Sequence, residues 1–215
     1  MDIADILFVA ADPREFTGAL RFWQNVRPVA LPVHWARTAL RKGRPVIAVA
    51  NGAGWERARL AVGSAPHGQL CNIGFCGALD SELRVADIVV SSRHLPVRCK
   101  RNHQTGSIAS SEKIAGTADA KQKLCGQGYI AVEMEAGGIE SEPFYCIKAV
   151  SDLAEESFSN DFQAALLPDG RMSNARLLAG AMRRPLTRIP ELIRLARRTA
   201  AASQQLGEFL DCCEF

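Results

Sequence analysis

Residues 129–140 read YIAVEMEAGGIE. The apolar, β-rich start, Tyr129–Val132, reads as a strand that leads directly into a helix at Glu135–Glu140. The pattern repeats outward from this junction. On the C-terminal side, Phe144–Val150 (FYCIKAV) is a strand closing on Ser151-Asp152. On the N-terminal side come a short helix at Ala118–Leu124, a strand at Asp87–Ser91, and a buried strand at Gln69–Phe75 ending in Gly74-Phe75-Cys76-Gly77. Further back lie a helix at Trp55–Val62 and two strands, Leu31–Leu40 and Pro45–Ala50, around a glycine-containing turn. The first strand is Asp5–Ala11. Beyond Asp152, Ala175–Met182 and Ile189–Leu210 are helical by period, the second with Leu195, Ala202, Leu206 and Phe209 on one broad apolar face. Strands alternating with helices predict an α/β fold with a mixed sheet. No repeat, low-complexity tract or linker interrupts residues 1–215, so a single domain is expected.

Composition narrows the function classes. Of 215 residues, 47% are hydrophobic and 23% charged, which fits a globular chain and excludes disorder. The net charge of +3 is too mild to argue for nucleic acid. Charges interrupt every apolar stretch, and the acidic start lacks the basic character of a signal peptide, so a cytoplasmic location is expected. The seven cysteines form no C-x-x-C pair and the four histidines are scattered, so no metal site is expected and the cysteines read as free thiols.

In open α/β folds, ligands collect at the carboxyl ends of strands. Four such ends carry unusual residues: Asp12-Pro13-Arg14-Glu15, Gly74-Phe75-Cys76-Gly77, Glu133-Met134-Glu135 and Ser151-Asp152. Each has a bland reading. Glu133 and Glu135 could be ordinary helix N-terminal charge, Asp152 a helix cap, and Glu15 a solvated first-turn acid. Their recurrence at strand ends favours a site. Gly52-Ala53-Gly54 invites a dinucleotide reading, but the third glycine of that pattern is Arg57 here. Arg183, Arg184, Arg188, Arg194, Arg197 and Arg198 could form a basic patch for nucleic acid or membrane; without interleaved aromatics they read first as a solvated helix face.

These segments resemble the nucleoside phosphorylase superfamily, specifically its methylthioadenosine/S-adenosylhomocysteine nucleosidase-like branch. VEMEA at Val132–Ala136 is similar to that family's V-E-M-E-x signature. Gly74–Leu79 with Leu83–Ser91 resembles its glycine loop and following strand. Ala149–Asp152 resembles its R-A-I-S-D strand end, and Ile108-Ala109-Ser110 its approach to the base pocket. The matches run in family order from about Ile6 to Asp152. The tail, with Asp169-Gly170-Arg171, is more weakly similar to hopanoid-associated phosphorylases.

The resemblance implies a three-layer α/β/α sandwich around a mixed, partly barrel-like central sheet. It also implies hydrolysis of the N-glycosidic bond of a purine nucleoside, such as a 5′-substituted adenosine, without a cofactor. Asp152 would protonate the departing purine, which calls for a proton-bearing acid in a secluded site. Glu15 would activate the attacking water. Glu135 would hold the ribose hydroxyls and stabilise the cation, with Met134 beneath the sugar and Glu133 beside it. Phe75, Cys76, Gly77 and Ser151 would complete the pocket. Ile114 falls where the family often places an aromatic residue against the purine. The phosphate ligands of the phosphorylases align with Glu15, Asn72 and Phe75, so water is the expected nucleophile; Arg14, one residue away, leaves phosphorolysis as an alternative. The family's long segment before Ile108 is short and basic here, Arg93–His103, which would open the 5′ side. The expected partner is a small-molecule purine nucleoside, with no nucleic acid and no obligatory membrane, in a homodimer. An inactive nucleoside-binding protein is a rival reading, as is a nucleic-acid-binding module.

Overall fold

The computed structural model describes residues 3–139 and 142–215. A ten-stranded mixed sheet forms its centre. The strands are β1 (Ala4–Ala10), β2 (Gln24–Pro28), β3 (Trp35–Arg41), β4 (Arg44–Ala50), β5 (His67–Ala78), β6 (Ile88–Ser91), β7 (Gln104–Gly106), β8 (Ile108–Ser110), β9 (Ala131–Glu133) and β10 (Tyr145–Asp152). The helices are α1 (Trp55–Val62), α2 (Ala118–Cys125), α3 (Phe162–Ala165), α4 (Asn174–Ala181) and α5 (Pro185–Cys212).

The spatial order is β2-β3-β4-β1-β5-β10-β6-β7. The central strands β4, β1, β5 and β10 run parallel, as their nearly continuous apolar sequences require when both faces are covered. Alternation along β1 shows the two faces. Leu7 and Val9 join a core with Ala58 and Ala61 of α1, whereas Ile6, Phe8 and Ala10 join one with Ala202, Leu206 and Phe209 of α5. The sheet therefore lies between helical layers, as expected. The long β5 continues past β10, and its last residues, Gly77 and Ala78, pair antiparallel with β9, which pairs in turn with β8. This branch brings the carboxyl ends of β5, β9 and β10 together. No helix among the described residues is long and apolar enough to cross a membrane.

Several boundaries differ from the sequence reading. The strand expected from Leu31 begins at Trp35, because Leu31–Val33 closes a tight turn at Pro32 with Val33 N–H donating to Leu31 O at 2.8 Å. The helix expected at Glu135–Glu140 is a single 3₁₀ turn, Ala136–Gly138, where two glycines favour a tight turn over a helix; Glu140 lies outside the described residues. α5 starts four residues before the expected Ile189, because Pro185 suits a first helical position. The sequence reading has no counterpart for β2, β7, β8 or α3: β2 is wholly exposed, and the other three are too short to show a period.

Candidate active site

All ten residues singled out as site residues line one cleft: Glu15, Phe75, Cys76 and Gly77; Ile114; Glu133, Met134 and Glu135; Ser151 and Asp152. Backbone features place each carboxylate.

Glu15 sits in a short 3₁₀ turn that follows β1. Asp12 caps this turn, Pro13 opens it, and the Glu15 side chain reaches back to the Asp12 amide, completing a capping box. The bland reading of Glu15 was half right, since it is a first-turn acid but a buried one. Its Oε2 accepts from the amides of Ala11 (2.8 Å) and Asp12 (2.9 Å), and its Oε1 accepts from the Phe75 amide at 2.7 Å. Gly74 makes this possible. Its φ of +142° favours glycine, and a Cβ there would lie 2.6 Å from Glu15 Oε1. Burial pushes the Glu15 pKa above the ordinary carboxylate value, against the pull of Lys148 and of the backbone amides.

Glu133 ends β9. Its carboxylate accepts from the amides of Glu135 (2.9 Å) and Ala136 (3.0 Å), so it caps the following turn and is fully enclosed. Lys148, in the middle of β10 and 0% exposed, reaches both glutamates, with Nζ 2.9 Å from Glu133 Oε2 and 3.1 Å from Glu135 Oε2. Nζ also lies 3.1 Å from Asn72 Oδ1 and 3.3 Å from Ile73 O. Burial raises the Glu133 pKa, but Lys148, Ser110 and the Glu135 amide outweigh it, and the net shift is downward. Glu135 goes the other way. Burial, helped by the neighbouring charges of Glu133 and Glu15, lifts it to about 8 despite Lys148. Glu15, Glu133 and Glu135 thus share a single ammonium, and the surplus negative charge is relieved by retaining protons.

Asp152 is placed by a bulge. β10 pairs with β5 in register up to Val150–Cys76, then Asp152 pairs with Gly77, leaving Ser151 as the extra residue. The Ser151 hydroxyl lies 2.9 Å from Asp152 Oδ2 and 3.2 Å from Cys76 O, with one proton to donate between them. No helix follows Asp152 directly, so the capping alternative does not apply. Instead, Asp152 Oδ1 pairs with Lys121 of α2, which is 1% exposed. The Lys121 ammonium also donates to Leu153 O at 2.6 Å and sits 5.5 Å from the centre of the Phe158 ring.

The sequence reading does not single out Lys148, Lys121, Phe158 or the cleft-lining Lys113. Lys148 was read only as part of an apolar strand, and its charge within FYCIKAV was the available signal. Lys121 gave none, being one of several polar residues on a short helix. Phe158 lines the cleft with Ile114 and supplies an aromatic wall where Ile114 alone was expected. Gly52-Ala53-Gly54 proves to be a packing device. A Cβ on Gly52 would lie 2.5 Å from Asp169 O, and Ala53 N–H donates to Gly170 O at 2.8 Å. No three His, Cys, Asp or Glu side chains among the described residues come together as a metal-ligand set.

Solved structures share this arrangement of elements. One is the 5′-methylthioadenosine/S-adenosylhomocysteine nucleosidase of Streptococcus pneumoniae with a transition-state inhibitor: TM-score 0.67, 16% identity, 96% of each chain covered. The chain has the fold of these nucleosidases. The futalosine hydrolase of Helicobacter pylori shares it, with a TM-score of 0.66 at 15% identity over 98% of this chain and 97% of that one. So does the Neisseria meningitidis 5′-methylthioadenosine/S-adenosylhomocysteine nucleosidase in complex with methylthio-immucillin-A, with a TM-score of 0.64 at 17% identity over 96% of this chain and 98% of that one. No family model matches the sequence, and no curated protein does either.

Proposed function

We propose that the protein hydrolyses the N-glycosidic bond of a purine nucleoside, a 5′-substituted adenosine being the expected substrate. The observation that carries this reading is the make-up of the nucleophile's side of the cleft. Glu15, Glu133 and Glu135 gather there around one ammonium. Arg14, the guanidinium next to Glu15 in the chain, is committed to Asp12 through bonds of 2.8 Å from both Nε and Nη2. No arginine among the described residues lines the cleft to receive a phosphate dianion, whereas Glu15 offers a water molecule a carboxylate acceptor.

In this reading Glu15 takes a proton from the attacking water. Its raised pKa brings its basicity closer to neutral pH, and its Oε1 retains a lone pair beyond the one used by the Phe75 amide. Glu135 receives the ribose hydroxyls, and the positive charge developing on the sugar offsets the surplus of carboxylates around Lys148. Asp152, held by Ser151 and Lys121, passes a proton to N7 of the departing purine. Phe158 and Ile114 flank the base, and Met134 packs under the sugar. The segment 93–95 lines a separate open cleft of about 780 Å³ together with Ser110 and Gly137. The segment expected to open the 5′ side therefore does not line the cleft that holds Glu15, Glu135 and Asp152.

One observation favours a second reading. Lys121 occupies an Asp152 oxygen that a proton donor would need, which suits a protein that binds nucleosides without cleaving them. Chromatography of free base released from methylthioadenosine, S-adenosylhomocysteine, adenosine, inosine and futalosine, with and without phosphate, separates the possibilities. Hydrolysis predicts release without phosphate, abolished by Asp152→Asn and by Glu15→Gln in folded protein. Release only with phosphate would overturn the assignment of Glu15, and binding without release would select the second reading.

A further inference from the structure

The α4–α5 corner carries features that the proposed reaction does not use. Between residues 170 and 207 the sequence has eight arginines and a single acid, Glu191. Glu191 is buried and turned inward, where its carboxylate accepts from Ser159 N (2.7 Å) and Asn160 N (2.8 Å). The outer surface of this segment therefore presents arginine with no acid of its own. Arg183, Arg184, Arg194 and Arg197 are exposed and take no part in the ion pairs found among the described residues.

Large apolar side chains stand exposed among these arginines. Leu186 is 91% exposed, Met182 61%, Leu178 58%, and Ile193 is also on the surface. Their spacing is regular. Leu186, Pro190, Ile193, Arg197 and Ala200 follow one another at intervals of four and three along α5, which puts them on one stripe. Ala202 and Leu206 lie on the opposite face, packed against the sheet. α5 is thus amphipathic twice over: one apolar face meets the core, and a second, mixed with arginine, meets solvent.

We propose that this corner is a docking surface for an anionic lipid bilayer, with the α5 stripe and Met182 entering the headgroup region and the arginines meeting lipid phosphates. Charge complementarity and exposed apolar area together select this partner. Nucleic acid would satisfy the arginines but give aliphatic side chains no counterpart and would call for stacking aromatics, which the corner lacks. The surface is coupled to the candidate active site through α5 itself. Its Glu191 holds Ser159 and Asn160, next to the cleft-lining Phe158, and its Arg198 pairs with Glu156 at 2.6 Å.

Co-sedimentation of the full chain with vesicles tests the proposal. Vesicles of phosphatidylcholine alone are compared with vesicles containing roughly a third phosphatidylglycerol. Retention on the anionic vesicles that is weakened by salt, and about tenfold weaker on neutral ones, is expected. Two double variants, Arg183→Glu with Arg184→Glu and Leu186→Gln with Ile193→Gln, should each weaken retention about tenfold, with circular dichroism and thermal melting unchanged because all four residues are exposed. Equal retention on both vesicle types, or unchanged retention of either variant, overturns the proposal. So does failure to bind vesicles accompanied by tight single-stranded oligonucleotide binding, or by a dimer in light scattering that Leu186→Gln with Ile193→Gln dissociates. None of these readouts depends on nucleoside cleavage, so the outcome is independent of the proposed reaction.

Discussion

The cleft contains two buried lysines in contrasting surroundings. Lys148 lies among Glu15, Glu133 and Glu135, a cluster with more carboxylates than ammonium groups. Lys121 faces one carboxylate, Asp152, and its remaining partners are a carbonyl and a phenyl ring. The first cluster is unbalanced and stores protons, whereas the second is a matched pair. The difference shows how one cleft can hold a carboxylate cluster with too few cations at one place and a paired carboxylate at another. Burial alone would act alike on both. The ratio of charges sets them apart.

The strongest way to break this contrast is Lys148→Met. Removing the sole cation from an enclosed set of carboxylates should cost about 3–5 kcal/mol of folding stability, measured by urea denaturation at pH 7. Lys148→Arg should recover much of that loss. Native-like stability in Lys148→Met would show that the glutamates do not depend on the ammonium.

Glu135 sharpens the contrast through pH. Its pKa is about 8 in the folded protein against an ordinary value of 4.5. The folded state therefore binds more protons than the unfolded state between these values, and stability must fall as pH rises through that window. The Glu135 contribution is fully present below the unfolded value and lost above about 8. Glu135→Gln should flatten this dependence and stabilise the protein at pH 8.5 by on the order of 2–4 kcal/mol. Parallel denaturation curves for the two proteins at pH 6 and at pH 8.5 are the check; an equal pH response would refute the shift.

For the matched pair, Lys121→Met should lower kcat by about ten- to a hundredfold with a smaller change in KM, since a misplaced Asp152 affects bond breaking more than binding. Lys121→Arg, which keeps a cation for Asp152, should recover part of the loss. No recovery, with the fold intact by circular dichroism, would mean that Lys121 does not act through its charge on Asp152. The smallest effect is expected for Phe158→Ala. Loss of one aromatic wall should raise KM roughly tenfold and leave kcat nearly intact; a collapse of kcat would assign Phe158 a different role.

Much of this site was legible in the linear chain. Strand ends are local features, so Glu15 after β1, Glu133 and Glu135 after β9, and Asp152 at the end of β10 could each be located from an apolar run and the residue that stops it. The parallel strands β1 and β10 send Glu15 and Asp152 to one edge, and β9, antiparallel to the end of β5, brings Glu133 and Glu135 to the same place. The long, periodic elements were also legible; α1 has the boundaries its pattern suggests. The misses have physical causes. Three- and four-residue elements such as β7 and α3 offer no period, and the exposed β2 has no apolar face to alternate. The bulge at Ser151 comes from the misfit between β5 and β10, which neither strand carries alone.

By itself the sequence determined an α/β chain with acids at its strand ends, because propensity and hydrophobic period act over a few neighbouring residues. It also determined a C-terminal segment rich in arginine and poor in acid. Only the tertiary structure decided which cation each acid meets. Lys121 reaches Asp152 across 31 residues, and Lys148 reaches Glu133 and Glu135 because the pleat of β10 turns its side chain to their side of the sheet. Such pairings depend on distances and burial set by the whole fold. The charges and hydrogen bonds that send the pKa values of Glu133 and Glu135, two residues apart in the chain, in opposite directions exist only once the cleft has closed around them.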